Sequence, residues 1–224
     1  MNKYLFPILA ILIGVGYALF TKNKKSLGTK LLLSFSGAFL LASTLFDLLP
    51  EVYEHLNAKQ PGLFIMCGIL LQIILEFFSK GAEHGHVHIH AEDSKFPWLL
   101  FLSLCIHSFL EGFPIHEHND MVYGVLIHKI PIAILITTFL QHSKYTKLQV
   151  IAFLTVFAIM TPFGTFISNN TIISESVITS INAVVIGIFL HISTTILFES
   201  SEGHKFNLSK LVAICLGILI AYFI

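Results

Sequence analysis

A chain of 224 residues with 55% hydrophobic and only 12% charged residues is not an ordinary water-soluble domain, which carries roughly 25% charged residues. Its formal net charge is zero, which removes any electrostatic case for a nucleic-acid partner. The bilayer is the expected solvent, and an all-α, polytopic membrane protein is the expected fold class.

Eight apolar runs follow one another: Leu5 to Phe20, Leu31 to Pro50, Gly62 to Phe78, Phe96 to Ile115, Met121 to Leu140, Leu148 to Ile167, Ser176 to Phe198 and Leu208 to Ile224. Each is close to the ~17 to 25 residues that span a hydrocarbon core as a helix. The first run is followed by Lys22, Lys24 and Lys25, so it reads as a retained helix and not as a cleaved secretory signal. Between the runs lie polar and turn residues, with no room for a separate soluble domain. Residues 1–224 are therefore expected to form a single transmembrane unit, and short loops predict that sequential helices pack as antiparallel neighbours. Cys67, Cys105 and Cys215 lie in separate runs without CxxC spacing and read as small buried hydrophobes.

Every one of the thirteen basic residues is a lysine, and their placement predicts an orientation. Alternate loops hold Lys22, Lys24, Lys25 and Lys30, then Lys80 and Lys95, Lys144 and Lys147, and Lys205 and Lys210; the opposite side holds Lys3 and Lys59. By the positive-inside rule both termini lie outside the cytoplasm, in a plasma or inner membrane. The loop 80–95 then lies inside. It contains His84, His86, His88 and His90, which alternate with small and apolar residues and read as a metal-catching loop. At the outer end of the second run, Asp47 and Glu51 are candidates for drawing in cations. Glu76, His191 and Glu199 are candidates for an exit path, and His116, Glu117, His118 and Asp120 read as a solvated outer turn.

An internal repeat is also visible. Gly37-x-Phe39-Leu40-x-x-Ser43-Thr44 in the second run matches Gly187-x-Phe189-Leu190-x-x-Ser193-Thr194 in the seventh, and Gly68-Ile69-Leu70 matches Gly217-Ile218-Leu219. The second and seventh helices are expected to cross in opposite directions, which is the signature of inverted repeats in secondary transporters.

The chemistry concentrates in the fourth and fifth runs. His107 and Glu111 are four residues apart, on one helix face. His107 lies ~16 Å from the start of its helix and His128 ~11 Å from the start of the next, so both sit near the middle of the membrane. Lys129 follows His128. Ionisable groups at this depth cost at least ~2.5 to 3.5 kcal/mol each on insertion scales, so four in one hairpin need a purpose. Two imidazoles and a carboxylate are a borderline N/O donor set, suited to zinc and unsuited to magnesium or calcium. Pro114 and Pro131 loosen the backbone beside the cluster.

These residues carry a family resemblance. His107-Ser108-Phe109-Leu110-Glu111-Gly112 resembles the fourth-helix HSxxEG motif of the ZIP metal transporters, and His128-Lys129 resembles the fifth-helix motif of the branch with HK there. Asp47-Leu48-Leu49-Pro50-Glu51, the His-rich stretch and Thr161-Pro162-Phe163-Gly164 resemble further family features in the same order. The resemblance implies an eight-helix, 3+2+3 inverted-repeat transporter that imports a divalent metal ion by an elevator-like motion. Zinc is the first expectation, with iron, manganese or cadmium as the other candidates, and a homodimer is the family's usual form. It also implies a metal site built from His107, Glu111 and His128. Many relatives hold two adjacent metals with further carboxylates, and the corresponding positions here are Lys129, Ile132 and Thr161. A lysine there repels a second divalent ion, so a single metal is expected. A cation-diffusion-facilitator exporter would call for a soluble domain, and an intramembrane zinc hydrolase for a general base beside the metal; the sequence offers neither an HExxH motif nor that domain.

Overall fold

Without water to satisfy them, backbone N–H and C=O groups in lipid must bond within their own segment, so long apolar runs fold as helices. The structure, a computed structural model, describes residues 2–21, 27–79, 96–116, 120–199 and 208–224, and among these all regular structure is helical. Eight helices result: α1 (Asn2–Phe20), α2 (Leu27–His55), α3 (Gln60–Ser79), α4 (Trp98–Leu110), α5 (Met121–His142), α6 (Lys147–Asn170), α7 (Glu175–Glu199) and α8 (Leu208–Phe223). Six are long and apolar enough to cross a membrane; α4 and α8 are shorter apolar helices. The loop 80–95, with His84, His86, His88 and His90, lies outside the described residues, as do Glu117 and His118.

Two helices depart from simple geometry, both at proline. In α2 a π turn occupies Thr44–Leu48, where the Leu49 N–H reaches the carbonyl of Thr44, and Pro50 sits just after it. The wide turn accommodates a residue that cannot donate to the helical ladder. The fourth apolar run, read from sequence as continuous to Ile115, stops as an α-helix at Leu110. Gly112 and Phe113 close tighter bonds to the carbonyls of Phe109 and Leu110 (3.2 and 3.0 Å), and a 3₁₀ turn follows over Pro114–His116. Pro114 disfavours helical backbone in the residue before it, and Gly112 offers little resistance to unwinding.

The unwound segment would leave carbonyls short of partners, and α6 supplies them. Thr161, Thr165 and Ser168 lie on one face of α6, and their hydroxyls donate to the carbonyls of Ser108 (2.9 Å), Gly112 (2.9 Å) and Phe113 (3.3 Å). Contact this close requires the absence of side chains. A Cβ on Gly164 would stand 2.0 Å from the Phe109 oxygen, and one on Gly112 would stand 2.3 Å from the Thr161 oxygen.

Glycine seams also decide the other pairings, and they overrule the expectation that sequential helices are the main partners. α4 lies along α6, and α5 along α1, where Gly14 meets Ala133 and the Ile130 carbonyl. α3 lies along α7 through Gly68 and Gly187, and α8 along α2 through Gly217. Two groups emerge. α1, α4, α5 and α6 form one; α2, α3, α7 and α8 form the other; they meet where α2 packs on α5 and α3 on α4. The matched sequence segments also behave alike. Ser43 and Ser193 donate to Phe39 and Phe189, and Thr44 and Thr194 to Leu40 and Leu190. Phe39 and Phe189 are both buried.

These seams make stability predictions. Gly164→Ala forces backbone apart and should cost about 1–3 kcal/mol, whereas Gly16→Ala, where a Cβ meets nothing within 4 Å, should be neutral or stabilising. Thr165→Val leaves the Gly112 carbonyl short of its donor and should cost about 1–3 kcal/mol. Thermal unfolding of the detergent-purified protein checks all three; a Gly164→Ala protein as stable as Gly16→Ala would contradict the close approach of α4 and α6.

Candidate metal centre

His107 lies three residues before the end of α4, and Glu111 caps that helix, its N–H bonded to the His107 carbonyl at 3.0 Å. His128 and Lys129 lie in the third turn of α5. All four side chains are at most 1% exposed. The structure brings His107, Glu111 and His128 together: one donor atom from each lies within 4.8 Å of the others, and this is the one such group among the described residues. The His107 and His128 rings stand 6.3 Å apart at 80°, edge to face.

A tetrahedral zinc with bonds of about 2.0–2.1 Å holds its donors about 3.3 Å apart. His107 Nε2 and Glu111 Oε2 already stand at 3.3 Å. The three donors therefore need only a small contraction to enclose an ion. The set is one carboxylate oxygen and two imidazole nitrogens, borderline donors that favour zinc and similar transition metals over magnesium or calcium.

The carboxylate of Glu111 is divided between two neighbourhoods. Oε2 faces His107, while Oε1 is ion-paired with the Lys129 ammonium and stands 2.7 Å from Thr161 Oγ1. The Thr161 hydroxyl has one proton, shared between Glu111 and the Ser108 carbonyl. Lys129 also donates to Ser108 Oγ (3.1 Å), and its Nζ lies 4.6 Å from the centre of the Phe157 ring. The ammonium is thus enclosed by a carboxylate, a hydroxyl and an aromatic face, with contributions from α4, α5 and α6.

Apolar side chains surround this part of the fold. Near the start of α5, Ile115, Met121, Val122 and Val125 pack with Leu40 and Leu48 of α2 and Ile186 and Phe189 of α7. Leu110, beside Glu111, packs against that cluster and also against the one formed by Leu33, Ile188, Ile192 and Ile196. The four side chains of the centre are out of reach of solvent.

Other candidate residues fall elsewhere. Asp47 lies in the π turn of α2 and Glu51 one turn on; both are half-buried and neither joins the three-donor group. Glu76 and His191 are placed together, 2.6 Å apart, linking α3 to α7. Sequence reasoning gave Ser108, Phe157, Thr165 and Ser168 no role. The α6 hydroxyls carried a usable signal, since Thr161, Thr165 and Ser168 follow i, i+4, i+7 spacing in an otherwise apolar helix.

Comparison with known proteins identifies the family. The family model described as ZIP Zinc transporter matches residues 94–224, which include α4 to α8 and all four residues of the centre. Zinc transporter ZIP1 of Danio rerio is similar at 25% identity, over 55% of this chain and 58% of its own length. The chain thus spans a little over half the length of that curated relative. With the family's own region covering more than half of the chain, this protein belongs to the ZIP zinc transporter family.

Proposed function

We propose that this protein carries a divalent transition metal, zinc foremost, across the membrane into the cytoplasm, one ion per cycle, bound by His107, Glu111 and His128. The observation that carries the reading is a transition-metal donor set buried at mid-membrane depth. Such groups are expensive in a bilayer and mark ion pathways. The similar protein from Danio rerio is named a zinc transporter, and its family's description says the same.

The arrangement of helices supports alternating access of an elevator kind. All three donors, together with Lys129, belong to the group α1, α4, α5 and α6, which meets the other group where α5 packs on α2 and α4 on α3. Sliding this group against α2, α3, α7 and α8 would carry the site across with its donors intact. The excess of lysine in alternate loops sets the direction of the chain, with both termini outside. Asp47 and Glu51 would attract cations at the outer mouth, and the histidines of the loop 80–95 would receive them inside.

A single ion follows from Lys129. Its ammonium occupies the far side of Glu111, where a second divalent cation would otherwise sit against the carboxylate. The nearest α6 oxygen there is the neutral hydroxyl of Thr161, which offers no negative charge.

Uptake of zinc into proteoliposomes tests the reading. His107→Ala and His128→Ala should each reduce saturable uptake by more than the ~10–100-fold typical of residues that only orient a ligand, with the purified proteins still monodisperse. Uptake that remains at wild-type kinetics in either variant removes that histidine from the site. Bound zinc per chain tests the single ion. Wild type should hold one, and Lys129→Glu, which replaces a cation with an acid, should hold two. A Lys129→Glu protein that still binds one ion would refute the assignment of Lys129 to the second position.

A further inference from the structure

Glu111 presents its two oxygens to different partners. Oε2 points to His107 Nε2 at 3.3 Å, so it is the oxygen available to a metal. Oε1 is held by Lys129 and by Thr161 Oγ1 at 2.7 Å. A metal bound by His107, His128 and Oε2 does not require Lys129 to leave. The ammonium is further fixed by Ser108 Oγ at 3.1 Å and the Phe157 face at 4.6 Å. Every residue of this cage comes from α4, α5 or α6, within the group of helices that holds the donors.

A carrier that takes up one metal per cycle must cross the membrane twice, once loaded and once empty. On the loaded crossing the metal's charge compensates Glu111. On the empty crossing that compensation is gone, and a carboxylate that is at most 1% exposed has to make the crossing out of contact with water. An uncompensated charge in such surroundings is strongly disfavoured. We propose that Lys129 is a tethered cation that stays on Glu111 through the whole cycle, and that its task is to make the empty return possible. The proposal rests on the transport reading above and adds the step at which Lys129 acts.

The two crossings separate experimentally. Radioactive zinc entering zinc-free proteoliposomes needs both the loaded and the empty crossing. Radioactive zinc entering vesicles preloaded with unlabelled zinc exchanges through the loaded crossing alone. Lys129→Met should lower the ratio of net uptake to exchange at least tenfold relative to wild type, whatever it does to metal binding itself, and Lys129→Arg, which keeps the charge, should restore that ratio. Lys129→Gln, which keeps a donor for Ser108 without the charge, should show the same split and serves where the Met variant does not fold. The double variant Glu111→Gln/Lys129→Met removes both charges and should bring the ratio of net uptake to exchange back toward wild type, although both rates fall with the lost donor. Net uptake and exchange falling in parallel would overturn the proposal, because a residue needed only for structure or binding affects both. Unchanged net uptake in Lys129→Gln would overturn it as well. A wild-type protein that moves no zinc in either assay would instead defeat the transport reading on which the proposal rests.

Discussion

Backbone satisfaction in the absence of water governs how this protein builds its centre. An α-helix is the cheapest solution for a spanning segment, yet a binding site needs a place where the helix can yield. The fourth helix yields at Glu111, where Gly112 and Pro114 end the regular ladder. The carbonyls beside the break are then claimed by Thr161, Thr165 and Ser168 of α6. Those bonds require α4 and α6 to touch backbone to backbone, which Gly112 and Gly164 permit. The position of the carboxylate thus follows from a chain of requirements: proline breaks the helix, hydroxyls stabilise the break, and glycines let the hydroxyls reach. Non-helical backbone at this depth persists only where protein covers it.

The same logic shows which features are legible in a sequence like this one. Eight helices can be read from apolar runs, and length and hydropathy suffice to mark six of them as spans, with α4 and α8 shorter. His107, Glu111 and His128 can be read because ionisable residues at mid-membrane depth stand out against apolar text. The partner choice of each helix is harder to read. Loop length suggests that α4 and α5 should lie side by side, but the glycine seams put α4 on α6 and α5 on α1. In lipid, helices gain little from hydrophobicity when they associate, and small residues that allow close approach decide the pairing. Those glycines are visible in the sequence, but nothing local says which seam faces which. The end of α4 at Leu110 was hidden for a similar reason, because Phe113 and Ile115 continue the apolar pattern across the break.

The repeat between the second and seventh runs acquires a physical meaning in the fold. Ser43 and Thr44 in α2, and Ser193 and Thr194 in α7, make the same bonds back to their own helices. Gly68 seats α3 on α7, and Gly217 seats α8 on α2. The likeness stops at the seams: Gly187 meets Gly68 of α3, whereas its counterpart Gly37 meets Ile196 of α7, and Gly217 packs beside Ala38. The group α1, α4, α5 and α6 holds the chemistry, with α4 broken and α5 carrying the lysine.

Lys129 is the residue that the fold explains only together with the chemistry. A lysine in the third turn of a spanning helix has long methylenes and a strongly hydrated head, and elsewhere such a side chain bends toward an interface. Here it is buried to the same degree as the core, and every surrounding group suits a cation: a carboxylate, a hydroxyl oxygen and the face of Phe157. Thr161 reinforces the choice, since a neutral hydroxyl in that position adds no second negative charge for another cation to answer. The pair Glu111 and Lys129 is therefore internally balanced, and only one carboxylate oxygen is left facing the imidazoles. On the proposed reading, such a centre would distinguish the cation it keeps from the cation it passes: one is covalently tethered and caged by α4, α5 and α6, and the other would be met by His107, Glu111 and His128.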